Sequence, residues 1–440
     1  MLNLFSQNYL TRGFWGDEAW TAGISRLPIQ EIIKITSQDF HPPLYYFFVH
    51  ALGNLVGFHE VPIRLISVFF FLLTPIVTYI LIRKFWDTKK RTSHQVALVT
   101  SLLVATAPIL FTYAFEARSY ALLALESVLS AYVFWRARLE QKGSYTFRIF
   151  YFILGGLMVY THYYAWFVLA SHAFYLLLFE RKRILPMLPA ALGVLAVQLP
   201  WLPTLFAQTN SVKGSYWIGP INYRTHYEFF LRVTGGDVTT QWQFWLAAII
   251  GTIILLDLFI KLVQKKVTRE HRFLLTWLFI PTLLPTLVSF VLMPVFFYRY
   301  LIFSAIPLLI LTVQALKDLP KILFFIPVIL IAYLQLRVDR TIFAQYPRSM
   351  REVTQELYQT KLQHTEPVYT VLPAFAEVMY YTADHDQIIV SPEGLIQFSG
   401  KSLLDAYVRL GLTTIEEPPK DKPYYFLTPE KEIKLITPTQ

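Results

Sequence analysis

The sequence contains no cysteine, so disulfides, thiolate nucleophiles and cysteine-ligated metals play no part in it. It is also short of charge: 15% of its 440 residues are Asp, Glu, Lys or Arg, against about 25% in soluble domains. A long apolar run is also lacking at the start: Met1–Gly16 is polar and aromatic, without the apolar h-region of a signal peptide. What is abundant is apolar surface, at 55% of residues and a mean hydropathy of +0.44. One water-soluble core of this size does not hide that much apolar area, which leaves a bilayer as the solvent. The net charge of +10 is carried in short basic runs between apolar stretches, a pattern of membrane orientation that excludes nucleic acid as a partner. Aromatic residues, at 17%, suit interfacial belts and sugar-stacking surfaces.

Apolar runs predict about ten spans: Pro62–Arg83, Val96–Tyr113, Ser119–Trp135, Phe147–Tyr160, Tyr163–Phe179, Leu185–Phe206, Phe244–Ile260, Phe273–Met293, Tyr300–Ala315 and Ile322–Leu336. Most approach the ~20 residues that cross a hydrocarbon core. Alternate loops carry the positive charge, as at Arg83–Arg91, Arg136–Arg148, Arg181–Arg183, Lys265–Arg272 and Lys317–Lys321. These loops are therefore assigned to the cytoplasmic face of a multi-pass protein of the cell (plasma or inner) membrane. The opposite face receives residues 1–60, the segment Gln208–Trp242 and the C-terminal tail. No apolar span precedes residue 60, so a further helix upstream of this sequence is expected to carry that loop outward.

Three regions result. Residues 1–60 form a first outer loop, residues 61–337 a transmembrane bundle, and residues 338–440 a small extracytoplasmic α/β domain. Residues 338–440 hold 10 Lys and Arg against 14 Asp and Glu, which sets them apart from the basic remainder. Helices are expected at Arg351–Thr360 and Lys401–Leu410, and strands at Pro367–Leu372, Gln387–Val390 and Tyr424–Leu427. No internal repeat is evident, unlike many transporters.

The first loop concentrates titratable groups at Asp17, Glu18, Asp39 and His41. Asp17 stands at or near a helix N-cap, Pro28 opens an amphipathic helix whose isoleucines at 29, 32, 33 and 35 form a membrane-surface face, and Pro42-Pro43 open a third helix. Capping alone accounts for Asp17, and a capped turn for Asp39 and His41. All four groups in one amphipathic surface loop favour a reaction centre. Asp17 and Glu18 lie ~100° apart around a helix and do not face one site equally. Further polar groups fall at the outer membrane edge: Arg64, Glu116-Ala117-Arg118-Ser119-Tyr120, Thr161-His162-Tyr163-Tyr164 and Tyr298-Arg299-Tyr300. A charge at membrane depth requires a partner or ligand. One reading pairs Glu116 with Arg118 and lets Arg299 snorkel; the other assembles a cationic pocket for a lipid phosphate.

The order Asp17-Glu18, His41-Pro42-Pro43-Leu44-Tyr45-Tyr46, Arg64-Leu65, Glu116-Ala117-Arg118-Ser119-Tyr120, Thr161-His162-Tyr163-Tyr164, Pro200-Trp201-Leu202-Pro203 and Arg299-Tyr300-Leu301 resembles bacterial glycosyltransferase family 39. These are GT-C-fold enzymes related to protein O-mannosyltransferases and to the aminoarabinose transferase of lipid A. The resemblance implies a polytopic α-helical GT-C-like protein. It would transfer a sugar from a polyprenyl-phosphate donor to an acceptor hydroxyl on protein, lipid or glycan, at the outer face of the membrane. By the same resemblance, Asp17 and Glu18 are the catalytic candidates, and Arg299 and Arg118 hold the donor phosphate. Asp39, His41, Tyr45, Tyr120, His162 and Tyr163 are expected to bind substrate. Asp39 and His41 are the candidate ligands if a divalent metal ion takes part, as carboxylate–imidazole pairs bind such ions; no other cofactor is implied. Two alternatives stay open on the sequence: a lipid or sugar flippase, and a non-catalytic envelope assembly protein.

Overall fold

The computed structural model describes residues 7–86, 91–139, 143–212, 218–237, 239–361, 368–382, 388–391, 401–409, 412–414 and 421–437. The first loop folds into three short helices, Gly16–Ser25, Ile29–Ser37 and Leu44–Val56. Asp17 and Glu18 occupy the first turn of the first helix, where carboxylates complement the positive end of the helix dipole. Pro28 precedes the second helix and Pro43 the third, and Gly57 ends the third at φ +90°, a conformation open to glycine. The isoleucine face predicted for the second helix is split. Ile32 and Ile35 are buried against the protein, whereas Ile29 and Ile33 are exposed, because only two of the four share the inward side of a helix this short.

Every predicted span contains helix. The ten become Glu60–Phe85, Arg91–Ala105 with Pro108–Ala114, Tyr120–Ala137, Ser144–Thr161, Ala165–Phe179, Ile184–Gln198 with Leu202–Val212, Gln241–Val263, Arg269–Val291, Tyr298–Ser304 with Ala305–Leu316, and Lys321–Phe343. Length and hydropathy together qualify six of them, among the described residues, to cross a membrane. Counting the pair on either side of the 54° bend before Pro108 as one span makes seven. Pro108, at the start of the second half, cannot continue the hydrogen-bond ladder of the first. Tyr120–Ala137, Ser144–Thr161 and Ala165–Phe179 are helical where predicted but fall short by that measure. Tyr298–Leu316 is the innermost span, with 89% of its apolar window covered, which is why its sequence is apolar nearly all round. The helix Thr225–Gly235 lies in a segment with no apolar run and had no sequence signal.

The compositional break at 338 does not mark the end of the bundle. Lys321–Phe343 continues unbroken past it, so Arg337, Asp339 and Arg340 belong to the C-terminal end of a span. The domain beyond opens with the helix Met350–Lys361 and contains, among the described residues, five strands: β1 (Val368–Val371), β2 (Ile388–Ser391), β3 (Thr413–Thr414), β4 (Tyr424–Leu427) and β5 (Ile433–Ile436). Their order is β3-β2-β1-β4-β5, with β1 parallel to both β2 and β4, and β5 antiparallel to β4. Helices Leu372–Tyr381 and Lys401–Arg409 connect the parallel strands. The predicted helices and strands are all present. β5, with only its first residue half-buried, lacks the alternation that announces a strand, and Leu372–Tyr381 follows β1 with no break to mark it.

Helices Ser144–Thr161 and Ile184–Gln198 approach closely through glycine. A β-carbon on Gly193 would stand 2.6 Å from a ring carbon of Phe152, and one on Gly155 2.6 Å from Val194 Cγ2. Gly193→Leu is expected to cost about 1–3 kcal/mol through overpacking and to lower the thermal unfolding temperature of the purified protein. Gly219→Ala, whose β-carbon meets nothing within 4 Å, leaves that temperature unchanged.

Candidate active site

The site is built on a buried ion cluster. Arg64, on the helix Glu60–Phe85, and Glu18 are both fully buried. Arg64 uses all five of its N–H donors. Nε and one Nη reach the Glu18 carboxylate at 2.8 and 2.7 Å, and the carbonyls of Leu10, Arg12 and Gly13 accept the rest at 2.7, 2.6 and 3.1 Å. Arg12 donates to the same carboxylate at 2.6 Å, and the Ala117 amide donates to it at 2.9 Å. Burial alone would raise the pKa of Glu18. The two guanidiniums and the amide overcome this and hold it below the usual carboxylate range. Glu18 thereby ties the first loop to the span behind it and to the turn at residues 116–118.

Glu116 completes the cluster without pairing with Arg118. It accepts from the Tyr9 hydroxyl at 2.8 Å and lies 3.9 Å from Arg12. Burial, with Glu18 nearby, raises its pKa. Arg118 is thereby left to face the other way.

Asp17, one residue before Glu18 and about 100° around the helix, points out of the cluster with its side chain 40% exposed, 3.5 Å from the Arg118 guanidinium. Arg118 also donates to His41 Nε2 at 3.1 Å. A guanidinium only donates, so Nε2 is the acceptor and Nδ1 carries the proton in this neutral ring. Burial and the neighbouring Arg118 hold the His41 pKa well below its ordinary value. Its Nδ1, like Trp20 Nε1, is buried without a hydrogen-bond partner among the described residues.

A run of rings extends from here. Trp20 lies 6.4 Å from His41, His41 6.5 Å from His162, and His162 5.9 Å from Tyr120 and 5.1 Å from Tyr300. The Arg118 guanidinium sits 5.7 Å over Tyr120 and that of Arg299 5.9 Å over Tyr300, while Tyr120 and Tyr300 are 6.1 Å apart. Two cations thus flank one pair of tyrosines. His162 is pushed down to about 3 by burial, then by Arg118 and Arg299.

The structure therefore brings together Asp17, His41, Arg118, Tyr120, His162 and Arg299. It places Glu18 behind them as an anchor. Tyr45 is also behind, buried and bonded to Ser67 at 2.8 Å. Tyr163 turns aside: Trp201 donates to its hydroxyl at 2.8 Å, it donates to Gln208 at 2.5 Å, and Gln208 donates to Thr36 O at 2.8 Å. That chain latches the second loop helix to the bundle. Asp39 is buried beside the site, its pKa raised to about 7 by burial, with the Phe40 amide and Arg118 opposing. Asp39 and His41 do not extend to a metal-binding set, since no group of three or more His, Asp or Glu suited to a metal occurs among the described residues. Arg12, Trp20 and Tyr300 carry structural or lining roles that sequence reasoning did not assign. Arg12 sits in a polar stretch with no periodicity, and its partner is visible only in space.

Arg64→Ala would leave Glu18 buried with one guanidinium instead of two and is expected to cost about 3–5 kcal/mol, read as a fall in unfolding temperature. Arg64→Lys would recover little of this, since an ammonium lacks the five-donor fork. Asp39 gives a pH-dependent effect. Folded, it keeps its proton until pH nears 7, whereas an unfolded Asp ionises near ~4. Between these values the unfolded state loses its proton first, so this group lowers stability as pH rises from ~4 to ~7. Asp39→Asn should therefore raise the unfolding temperature at pH 8 relative to the parent more than it does at pH 4.

Residues 40–204 match the family profile described as dolichyl-phosphate-mannose-protein mannosyltransferase. The matched stretch includes His41, Arg64, Arg118, Tyr120 and His162. Among solved structures, the chain is similar to ArnT from Cupriavidus metallidurans in the apo state, with a TM-score of 0.61 and 13% identity over 96% of this chain and 90% of that one. The undecaprenyl phosphate-bound form of ArnT gives a TM-score of 0.62 at the same identity and coverage. The archaeal oligosaccharyltransferase AglB from Archaeoglobus fulgidus, in complex with an inhibitory peptide and a dolichol-phosphate, gives 0.50 at 12% identity, over 88% of this chain and 62% of that one. A search of curated proteins by sequence finds no match. Identities this low carry the fold alone. The profile match and the fold shared along nearly the whole chain make this a multi-pass membrane protein of the GT-C glycosyltransferase fold.

Proposed function

We propose that this protein moves a sugar from a polyprenyl-phosphate donor to an acceptor hydroxyl, at the outer face of the cell membrane, by a single displacement with inversion. The observation that carries this reading is the placement of Asp17. A half-exposed carboxylate stands 3.5 Å from a buried guanidinium, with a second guanidinium across a tyrosine pair. Asp17 takes the proton of the acceptor hydroxyl as its oxygen attacks the anomeric carbon. The bond from that carbon to the phosphate oxygen breaks, and the phosphate leaves with its charge held by Arg118 and Arg299. Neutral His41, with an N–H to offer, and the rings of Tyr120 and His162 line the space for the sugar.

A route for the lipid tail supports the reading. A cavity of about 550 Å³ with only apolar lining runs from Pro43, Leu44 and Phe47 to Phe152, Tyr160 and Trp201. Pro43 in its wall follows His41, the Arg118 partner, by two residues in the chain, and in this reading the lipid tail lies there with its phosphate toward Arg118. The undecaprenyl phosphate bound to ArnT and the dolichol-phosphate bound to AglB agree with a polyprenyl-phosphate partner. The basic loops at the far ends of the spans support an outward site, with the sheet domain on the same side.

The test is transfer of label from radiolabelled polyprenyl-phosphate sugars, with cell extract as acceptor source. Asp17→Asn is expected to lose at least ~100-fold in transfer rate while keeping its unfolding temperature, and Arg118→Ala to lose transfer and donor affinity together. Full transfer by Asp17→Asn would remove Asp17 from the mechanism.

A further inference from the structure

Asp17 has one ion partner at 3.5 Å and an exposed side chain, so its position is inherited from its backbone. Glu18 fixes that helix from the membrane side. On the other side stands the helix Leu372–Tyr381 of the sheet domain. The Tyr381 hydroxyl accepts from the Phe14 amide at 2.6 Å and donates to Glu60 at 2.7 Å. Arg351 grips the same Glu60 at 3.1 Å and donates to the Thr11 carbonyl at 3.0 Å. One turn before Tyr381, the buried Glu377 faces the amide of Gly16, the first residue of the Asp17 helix, with Lys431 3.5 Å away. Tyr380 donates to the Phe58 carbonyl, and its ring meets Phe14 edge-on at 5.0 Å. Phe14 and Gly16 precede Asp17, and Phe58 follows the third loop helix. A single helix of the sheet domain thus bonds both ends of the loop that carries the site.

We propose that the helix Leu372–Tyr381 is the positioning element of the transfer site, with the Tyr381 hydroxyl and the Glu377 carboxylate fixing where Asp17 stands. The inference rests on Asp17 serving in sugar transfer. The first amides of a helix have no partner within it, and Glu377 faces one of them. The Phe14 amide, just outside the helix, is engaged by Tyr381. Without the Tyr381 bond and the Glu377 contact at Gly16, the first turn is free to shift while Glu18 still holds its far side. A displacement of ~1 Å at a reacting group is enough to cost ~100-fold in rate. The sheet domain, in this account, is part of the catalytic apparatus through its grip on Asp17.

The test combines hydrogen exchange and kinetics on the full chain in detergent or nanodiscs, for Tyr381→Phe, Glu377→Ala and Glu377→Gln. Lys434→Ala, on the exposed edge strand β5, is the control. Tyr381→Phe removes one oxygen, so folding is preserved. The expected result is amide exchange in residues 13–20 faster by about tenfold, with kcat down by about tenfold and the donor KM within twofold of the parent. Glu377→Ala behaves like Tyr381→Phe, and Glu377→Gln, which keeps an oxygen toward Gly16, stays near the parent. Unchanged kcat and exchange in Tyr381→Phe and Glu377→Ala would overturn the proposal. So would a loss of activity that only tracks the folded fraction. A parent chain that transfers no sugar from any donor would sink the transferase reading, and with it positioning for transfer; the exchange data would then show separately whether the helix holds the loop.

Discussion

The ion pair of Glu18 with Arg64 is the constraint from which the site follows. A guanidinium fully buried near the start of a span is costly unless every donor is met. Here Glu18 and three backbone carbonyls of residues 10–13 meet them. In doing so they fold the start of the first loop around the arginine, set Glu18 inward and leave its neighbour Asp17 outward. Arg12 and the Ala117 amide close the remaining side of the carboxylate. The turn that carries Arg118 is thereby brought within reach of Asp17. An adjacent acidic pair thus serves two ends, one member anchored in the fold and the other left facing Arg118, where the proposed transfer needs a base.

The division of the site into a dry half and an open half has the same origin. Glu116, bonded to Tyr9, turns inward with Glu18, so Arg118 is directed at Asp17 and His41 instead. The rings of Trp20, His162, Tyr120 and Tyr300 then separate this cation from Arg299. Such a space offers what the proposed transfer needs: cations for a departing phosphate, flat faces for a sugar and one exposed carboxylate for an incoming hydroxyl. An apolar cavity opens beside Pro43, and a helix of the sheet domain bonds the loop that carries the site.

The fold was legible where single residues announce it. Long apolar runs placed the spans, and Pro28 and Pro42-Pro43 marked the loop helices. Length misled where a run was broken: Pro108 divides one predicted span, and the continuous helix Lys321–Phe343 hides the domain boundary that composition set at 338. In the site, Asp17 and His41 stood out as titratable groups of the first loop, and Arg118, Tyr120, His162 and Arg299 as polar groups at a membrane edge, and the structure gathers them. Glu18, expected beside Asp17 from the resemblance, is bonded to Arg64, and Tyr163, from the same membrane edge, to Gln208. The roles of Arg12 and Tyr381 had no sequence signal, because their partners are distant in the chain or lie on backbone amides and carbonyls that every sequence possesses.

The central claim is that donor phosphate and acceptor base meet between Arg118, Arg299 and Asp17. A structure of the protein with a polyprenyl phosphate bound tests it most directly. The account predicts the phosphate between the two guanidiniums, with the polyprenyl chain in the cavity beside Pro43, Phe152 and Trp201 and the Asp17 carboxylate facing the headgroup. A phosphate seated away from both guanidiniums, with Asp17 remote from it, would contradict the account.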